Sequence, residues 1–325
     1  MLGGLQTTTG SNQLGYTLAL LSGALWGVGA VVLGEALTHR PLAAAGALFA
    51  APLAAAALHD CLALVWVSAV SAAAGRLRAT VAALRTRDGL VVCLAALIGG
   101  PLAMSTYLLA IAFAGAPYAI AIASVFPALG ALFGFAVLHE RLGGLGLVGV
   151  ALAVGGAVLA SYAPPAGASP HYLLGALCAV TSAAGWAAEG VLVTRSMARM
   201  PALAALNIRE AVSAGALLLI VLPSFAASGL AARTVVTPTM AILVAASLCG
   251  AGSYLFYYRS LDLLGAARAM PANSTSVLWT IALSLAVTGA WPGWRLVVGG
   301  LVVMAGIALV ATDRRSVTPL ATTGA

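Results

Sequence analysis

The sequence predicts an all-α polytopic membrane protein with about ten transmembrane helices, and three observations support this prediction. The 325-residue chain is 62% hydrophobic and has a mean hydropathy of +1.07. Only 7% of its residues are charged, whereas soluble domains carry roughly 25%. Apolar runs of about 20 residues, each long enough to cross ~30 Å of hydrocarbon, recur along the chain. A soluble fold is excluded because the chain has too few polar residues to cover its surface.

Ten spans account for the apolar runs. They are expected near residues 14–35, 43–72, 90–112, 117–138, 143–162, 172–194, 203–224, 238–259, 268–289 and 294–312. The second run is longer than a straight crossing needs, which indicates tilt, a break or an interfacial extension. Most arginines lie in connections that are inside if the N-terminus is cytoplasmic. Because positively charged loops stay inside, both termini, including the tail 313–325, are predicted to be cytoplasmic.

The remaining composition argues against other kinds of partner. The net charge of +7 comes from arginines scattered over short loops, so it indicates membrane topology and no nucleic-acid partner is expected. The four cysteines lie inside predicted spans without paired spacing and are interpreted as small apolar side chains. The N-terminal stretch has neither a charged region nor a convincing cleavage site, so the first span is expected to be retained. No metal site and no cofactor are expected, because the sequence shows no spaced ligand set.

An internal duplication divides the chain into two repeats of five spans, 14–162 and 172–312. The matched pairs, 150 residues apart, include Tyr107 with Tyr257, Ser124 with Ser274, Gly149 with Gly299 and Gly156 with Gly306. In the first two spans the offset is 160 residues, and "SGALWG" matches "SAAGWA". Because five is odd, the second repeat must enter the membrane from the opposite side. The sequence therefore predicts two inverted five-helix repeats with a substrate site near the midplane. The seven-residue spacing of the glycines predicts close helix packing.

One stretch resembles a known transporter family. "YLLAIAFAGAPYAIAIASVFPALGALFGFAVLHERLGGLGLVGVALAVGGAVL" is similar to the third to fifth spans of EamA-type carriers in the drug/metabolite transporter superfamily, and the resemblance covers residues 14–312. It includes the family's glutamate before the fifth span, here Glu140, while Ala290 stands at the corresponding place in the second repeat. Arg209 matches an arginine of the family's seventh span, whereas Phe49 replaces it in the second span. The resemblance implies a carrier of small metabolites, often an exporter, in a bacterial plasma (inner) membrane.

Glu189 places a carboxylate inside the apolar stretch "TSAAGWAAEGVLVTR". Ser182 and Trp186 share its helix face, and Trp26 corresponds to Trp186 in the first repeat. An ionised carboxylate near the bilayer centre costs on the order of 2.5–3.5 kcal/mol, so Glu189 is expected to face protein or water. A functional site and a structural ion pair with Arg209 both remain open. A pair that protonation breaks would serve as both.

Other charged residues form a candidate coupling group of Asp60, Glu189, Arg209 and Glu210. Arg209 and Glu210 point about 100° apart on a helix, so they are not expected to reach the same neighbour. One could bind ligand or Glu189, or both could lie at the cytoplasmic interface. His59 and Asp60 lie inside the second span, where a proton relay and a wet crevice without a transport role are both compatible with the sequence.

Aromatic and polar residues complete a candidate substrate site. Its members are Trp26, Tyr107, Trp186, Glu189, Tyr257 and Asn273. A small apolar pocket with a few placed polar groups suits a metabolite.

The expected function is secondary transport of a small organic metabolite such as an amino acid, by alternating access. Protons are the candidate coupling ion, although facilitated diffusion without them is an alternative. A multidrug or nucleobase carrier, a channel and a scaffold are further alternatives, and the oligomeric state is left open between monomer and homodimer. No enzyme is expected, because neither a G-x-S-x-G nor an H-E-x-x-H motif occurs.

Overall fold

The computed structural model describes residues 3–44, 46–138, 143–161, 169–289, 291 and 293–312, and every regular element in these ranges is helical. The helices are α1 (Gly3–Thr38), α2 (Ala50–Ala73), α3 (Leu77–Leu84), α4 (Arg87–Leu97), α5 (Ser105–Ala114), α6 (Ala116–Ala123), α7 (Phe126–Leu138), α8 (Gly144–Ser161), α9 (Tyr172–Met197), α10 (Ala202–Ala216), α11 (Leu222–Ser224), α12 (Ser228–Val235), α13 (Thr239–Leu264), α14 (Ala266–Asn273), α15 (Ser276–Thr288) and α16 (Trp294–Thr312). Two π-helical segments, Ile98–Met104 and Leu217–Val221, interrupt the α-helical geometry.

Eight helical stretches of the described chain are long and apolar enough to cross a membrane. They are Ser11–Thr38, Ala50–Ala73, Arg87–Ala114, Ala116–Phe133, Tyr172–Met197, Ala202–Ser224, Thr239–Leu264 and Ala266–Thr288. Two shorter apolar helices, Gly144–Ala160 and Trp294–Val310, fall at the predicted fifth and tenth spans. Each of the ten predicted spans overlaps an apolar helix of the structure. Eight of these helices are long enough to cross a membrane.

The long second apolar run is shortened by turns at its start. Residues 41–43, 46, 48 and 49 form turns, and α2 begins only at Ala50. Gly46 has a φ of 84°, a conformation that glycine adopts without the steric penalty of a side chain. The expectation of a break in this run is therefore met, and the helix that remains has the length of a single crossing.

Corresponding positions of the two repeats break their helices in the same way. Gly115 and Gly265 have φ values of 86° and 75° and connect α5 to α6 and α13 to α14. α6 ends before Ser124 and α14 ends before Ser274, so the following span is broken at the same point in each repeat. The repeated sequence thus produces the same local backbone geometry twice.

Close packing of α8 on α16 depends on the repeated glycines. A Cβ atom at Gly149 would lie 2.6 Å from the carbonyl oxygen of Gly306, and one at Gly156 would lie 2.7 Å from that of Gly299. The helices approach so closely only because these positions carry no side chain. The packing expected from the seven-residue glycine spacing is confirmed.

The other long helices form two groups. α1 packs along α13 and against α14 and α15, and α9 packs along α5, the first π segment, α6 and α7. α2 packs on α10 and α13. Polar contacts link helices of the two sequence halves: the hydroxyls of Ser22 and Ser253 are 3.0 Å apart, and the Trp66 indole donates to Ser247 over 3.1 Å. The candidate site lies where α2, α9, α10 and α13 approach one another.

Candidate functional site

Arg209 is the centre of a buried charge cluster. It lies on α10 with none of its surface exposed. Its Nε donates to Glu189 Oε1 over 3.1 Å, and its Nη1 donates to Glu210 Oε2 over 3.0 Å and to Asp60 Oδ2 over 3.4 Å. All four predicted coupling residues therefore belong to one cluster, which joins α2, α9 and α10.

The rest of the guanidinium group is held by α13 and the first π segment. Nη2 donates to the Tyr254 hydroxyl over 2.9 Å and to the Gly99 carbonyl oxygen over 3.4 Å. The Arg209 Cζ atom also lies 4.3 Å from the centre of the Tyr254 ring, within cation–π range. Arginine has five N–H donors, and the five hydrogen bonds of this fully buried side chain satisfy them.

Asp60 is bound by side chains from two helices. Its Oδ1 lies 2.9 Å from His59 Nδ1, and its Oδ2 accepts a hydrogen bond of 2.5 Å from Ser213. His59 is 1% exposed and Asp60 is fully buried. A wet crevice, one of the two environments considered for this pair, is therefore not what the structure shows.

Arg209 and Glu210 contact each other, which helical spacing alone does not predict. Their Cβ atoms do point in different directions, but the arginine side chain is long enough to turn back, and the two side chains form a hydrogen bond of 3.0 Å. Both residues are fully buried, so they do not lie exposed at an interface.

Three glycines make room for the cluster. A Cβ atom at Gly99 would lie 1.9 Å from Glu189 Oε2, one at Gly100 would lie 1.9 Å from Ser213 Oγ, and one at Gly250 would lie 2.4 Å from His59 Nε2. Gly99 and Gly100 belong to the first π segment. No polar residue type marks these positions, so the sequence gives no direct signal of their role beyond the internal duplication, in which Gly99 and Gly100 match Cys249 and Gly250.

An aromatic cluster lies beside the charges. The Trp26 ring stacks on Tyr107 at 5.5 Å between centroids and meets the edge of Trp186 at 5.3 Å. Tyr254 packs against Trp26 at 5.5 Å and so connects the aromatic cluster to Arg209. The Trp186 indole donates to the Gly99 carbonyl oxygen over 3.2 Å. Trp26 and Trp186, which correspond between the repeats, therefore meet face to edge.

A cavity of about 40 Å³ lies between these aromatic residues and Glu189. Its lining includes Trp26, Trp186, Glu189, Tyr254, Tyr257, Tyr258, Ser253, Asn273 and Ser276. Five of the six predicted substrate residues are thus brought together around one cavity. Tyr107 is not among the lining residues and packs behind the two tryptophans.

The lining also includes two tyrosines that the sequence places in line on the eighth span and favours as part of a cavity lining. Tyr254 and Tyr258 lie one turn apart on α13, and Tyr258 donates to Glu189 Oε1 over 2.9 Å. Their four-residue spacing in the sequence was the available signal, because it places both on one helix face. Asn273 accepts a hydrogen bond of 3.0 Å from Ser22.

A second and much larger cavity, of about 850 Å³, opens near the Thr38 end of α1. Its lining includes Glu35, Thr38, Pro52, Ile111, Ala116, Ser284 and Trp291. Both cavities are lined by α1 and α6, and Trp26 in the small cavity is separated from Val31 in the large one by little more than one helical turn.

Two sequence predictions concern other parts of the chain. The four cysteines are free and partly buried in the structure. Glu140, with the corresponding Ala290, lies outside the described residues.

Comparisons with known proteins agree with this architecture. A protein-family model described as the EamA-like transporter family matches residues 13–162 and again 173–312. Protein LicB of Haemophilus influenzae (strain ATCC 51907 / DSM 11121 / KW20 / Rd) is 29% identical over 192 residues. That alignment covers 58% of this chain and 64% of LicB, which is less than two thirds of LicB's length.

A solved crystal structure of a protein shares the fold. It superposes with a TM-score of 0.58 at 19% identity, and the match covers 93% of this chain and 96% of the other. At this identity the likeness concerns the fold alone. Because the family match accounts for both halves, the chain belongs to the EamA-like transporter family, within the drug/metabolite transporter superfamily.

Proposed function

We propose that the protein is a secondary carrier for a small organic metabolite that bears a positively charged amino group, with amino acids among the candidates. One observation carries this proposal: the small cavity combines the Glu189 carboxylate with the aromatic side chains of Trp26, Trp186 and three tyrosines. Membership of a transporter family supports the activity.

The chemistry of the lining favours a cation. The faces of tryptophan and tyrosine rings carry negative electrostatic potential, which attracts ammonium groups with about 0.5–2 kcal/mol each. Both hydrogen bonds described for Glu189 go to Oε1, so Oε2 accepts none from the described residues. Ser253, Asn273 and Ser276 supply polar atoms that can orient the remainder of a small substrate.

The size of the cavity supports alternating access. A cavity of about 40 Å³ has room for only a few water molecules, each of which needs at least about 10–15 Å³, so a metabolite fits only after the surrounding helices separate. The large cavity near the Thr38 end of α1 then represents the open approach from one side. A carrier that exposes its site to one side at a time has this combination of a wide approach and a closed site.

The packing supports two inverted five-helix repeats, 14–162 and 172–312, with ten spans in total. α8 and α16 are repeat equivalents, and their glycines pair in opposite order, Gly149 with Gly306 and Gly156 with Gly299. Helices that pair in this order run antiparallel, as inversion requires. We place the chain in a bacterial inner membrane with both termini and the tail 313–325 in the cytoplasm, as the arginine distribution favours.

The two helix groups would then rock about the site. α1, α13, α14 and α15 line one side of the small cavity, and α6 and α9 line the other. Each group contains helices from both sequence repeats. Export and coupling to protons complete the proposal, with Asp60, Glu189, Arg209 and Glu210 as the coupling residues.

Ligand screening of purified protein tests this function. Wild type, Glu189→Gln and Asp88→Asn would be heated with amines, amino acids, nucleobases or organic acids. Asp88, at the start of α4, pairs with Arg199 and lines neither cavity, which makes it a control for the loss of a carboxylate. An amine present at about 100 times its dissociation constant should add about 2.7 kcal/mol to the free energy of unfolding. Glu189→Gln should weaken its binding by roughly tenfold or more, because hydrogen bonds to charged groups contribute about 1.5–3 kcal/mol.

The same ligand would then be tested for counterflow in proteoliposomes. Saturable counterflow distinguishes a carrier from a channel, and equal affinity in all three proteins would show that Glu189 does not bind the substrate. A response to nucleobases or organic acids alone would overturn the proposed substrate class.

A further inference from the structure

We infer that Arg209 separates two cation sites, a substrate site at Glu189 and a proton site at Glu210, and that binding at the first releases the proton from the second. This inference rests on the proposed function, and it identifies one residue as the proton carrier. It also makes the buried arginine the group through which the two sites communicate.

The position of Arg209 divides the carboxylates into two sets. Glu189 lines the small cavity. Asp60 and Glu210 are not among its lining residues, and neither has any exposed surface. Arg209 donates to Glu189 through Nε and to the other two through Nη1. A substrate reaches Glu189 directly, whereas Glu210 responds to it through the guanidinium group.

The charge of the cluster requires at least one bound proton. Three ionised carboxylates and one guanidinium group leave two negative charges in excess when His59 is neutral. Among the described residues, the other titratable side chains that interact with the cluster are Tyr254, Tyr257, Tyr258 and Cys61, none of which can supply a positive charge. An uncompensated buried charge is unstable by several kcal/mol, so neutralising a carboxylate with a proton is the favourable state of the cluster without substrate.

Hydrogen bonding identifies Glu210 as the carboxylate that holds the proton. Asp60 has contacts to both oxygens, with His59 at Oδ1 and with Ser213 and Arg209 at Oδ2. Glu189 accepts two hydrogen bonds at Oε1. Glu210 accepts one at Oε2, and its buried Oε1 has no hydrogen-bond partner among the described residues. The ionised form of Glu210 is therefore stabilised by the fewest donors of the three.

Substrate binding changes the balance at Arg209. Without substrate, the guanidinium group of Arg209 partly neutralises the Glu189 carboxylate through Nε. A bound ammonium group neutralises this carboxylate instead. The guanidinium charge is then available to Glu210, whose O–H bond breaks. The proton leaves to water, and the electron pair stays on the carboxylate, which Arg209 Nη1 stabilises. One positive charge enters and one leaves, so the net charge of the cluster is unchanged and the exchange is one for one.

Tetramethylammonium is the probe that tests this exchange, because it carries a fixed charge and has no proton of its own to release. Its binding to purified wild-type protein would be measured by calorimetry between about pH 5 and 9, together with proton release into a weakly buffered solution. Glu210→Gln, Asp60→Asn and the control Asp88→Asn would be measured in parallel. Glu210→Gln keeps an acceptor for Arg209 but cannot ionise.

The expected result is release of about one proton per tetramethylammonium bound, with a dissociation constant that rises up to about tenfold for each pH unit of acidification. Glu210→Gln should bind the probe without releasing a proton, and its affinity should be independent of pH over that range. Asp88→Asn, which changes a carboxylate outside the cluster and outside both cavities, should release a proton as wild type does.

The possible failures are distinguishable. If wild type does not bind tetramethylammonium at any pH, both the cation site at Glu189 and this inference are wrong. If it binds the probe without releasing a proton, the proposed function stands and the inference is overturned. If Asp60→Asn rather than Glu210→Gln abolishes release, Glu210 is not the proton carrier. Should Glu210→Gln fail to fold, Glu210→Asp takes its place, and a pH dependence of proton release identical to that of wild type would overturn the inference.

Discussion

At the scale of single residues, the small cavity depends on aromatic side chains that have different tasks. Trp26 lines the cavity and contacts Tyr107, Trp186 and Tyr254. Trp186 also holds the first π segment through its indole N–H. Tyr107 is fully buried behind both tryptophans. The ring face of Trp26 is therefore positioned by its neighbours, while the other aromatic residues also stabilise the backbone around Arg209.

Replacing Trp26 tests whether its ring contributes to cation binding. Trp26→Leu should lower the affinity for an ammonium ligand by about 2–30-fold, because cation–π attraction contributes about 0.5–2 kcal/mol. Trp26→Phe keeps a ring and should lose less. Trp279→Leu is the matched control, since Trp279 is 51% exposed on α15. Titration calorimetry measures all four proteins, and equal affinities for wild type and Trp26→Leu would contradict a role for the ring.

At the scale of helices, glycines determine which helices can pack closely against each other. The first π segment carries Gly99 and Gly100 beside Glu189 and Ser213. It also contains Pro101, which lacks a backbone N–H and so favours departure from regular α-helical hydrogen bonding. Elsewhere, α8 and α16 pack through four glycines together with neighbouring valine and alanine residues. Helix contacts in a membrane depend on such close packing, because apolar lipid provides little hydrophobic driving force between helices.

Two adjacent glycines of α8 provide an internal test of this packing. Gly156→Ala would place a methyl group about 2.7 Å from the Gly299 carbonyl oxygen and should reduce the free energy of unfolding by about 1–3 kcal/mol. A Cβ atom at Gly155 meets nothing within 4 Å, so Gly155→Ala should be neutral or slightly stabilising. Unfolding in mixed micelles with increasing SDS measures both. Equal stability of the two variants would show that the contact between α8 and α16 tolerates a side chain.

At the scale of the whole molecule, the two helix groups differ in how they are joined. α1 packs along α13 over much of its length, whereas its contacts with α6 are fewer. A Cβ atom at Gly34 would lie 3.6 Å from that of Ala116 on α6, in the wall of the large cavity. A Cβ atom at Gly29 would lie 3.4 Å from that of Cys249 on α13. Both distances are close to those of disulfides, about 3.5–4.5 Å.

Disulfides at these two pairs of positions test whether the two helix groups move relative to each other. Gly34→Cys with Ala116→Cys should join the groups on oxidation, and transport should fall to background and return after reduction. Gly29→Cys should cross-link to the native Cys249 within one group and leave transport largely intact. Counterflow before and after reduction is the measurement. Loss of transport with the second cross-link as well would show that α1 and α13 move relative to each other.

Much of this molecule is determined by the sequence alone, because the bilayer imposes simple rules. Only helices with apolar surfaces satisfy the backbone of a chain with 7% charged residues in hydrocarbon. The high cost of a buried charge singles out Glu189, Asp60 and Arg209 wherever their helices pack. Repeated tryptophan, tyrosine and glycine residues reveal the duplication and identify the equivalent helices. These features depend on residue type and local spacing, which a sequence contains.

Which charges meet was decided only by the tertiary structure. Asp60 and Arg209 are separated by 149 residues along the chain, and their contact depends on how α2 and α10 pack. Helical spacing describes Cβ directions, so it predicted divergence for Arg209 and Glu210, although a long side chain can reverse that direction. Tyr107 was expected to line the cavity, but it lies behind the lining, because the larger rings of Trp26 and Trp186 occupy the space beside the cavity. Sequence spacing describes a single helix, whereas the site is made from several.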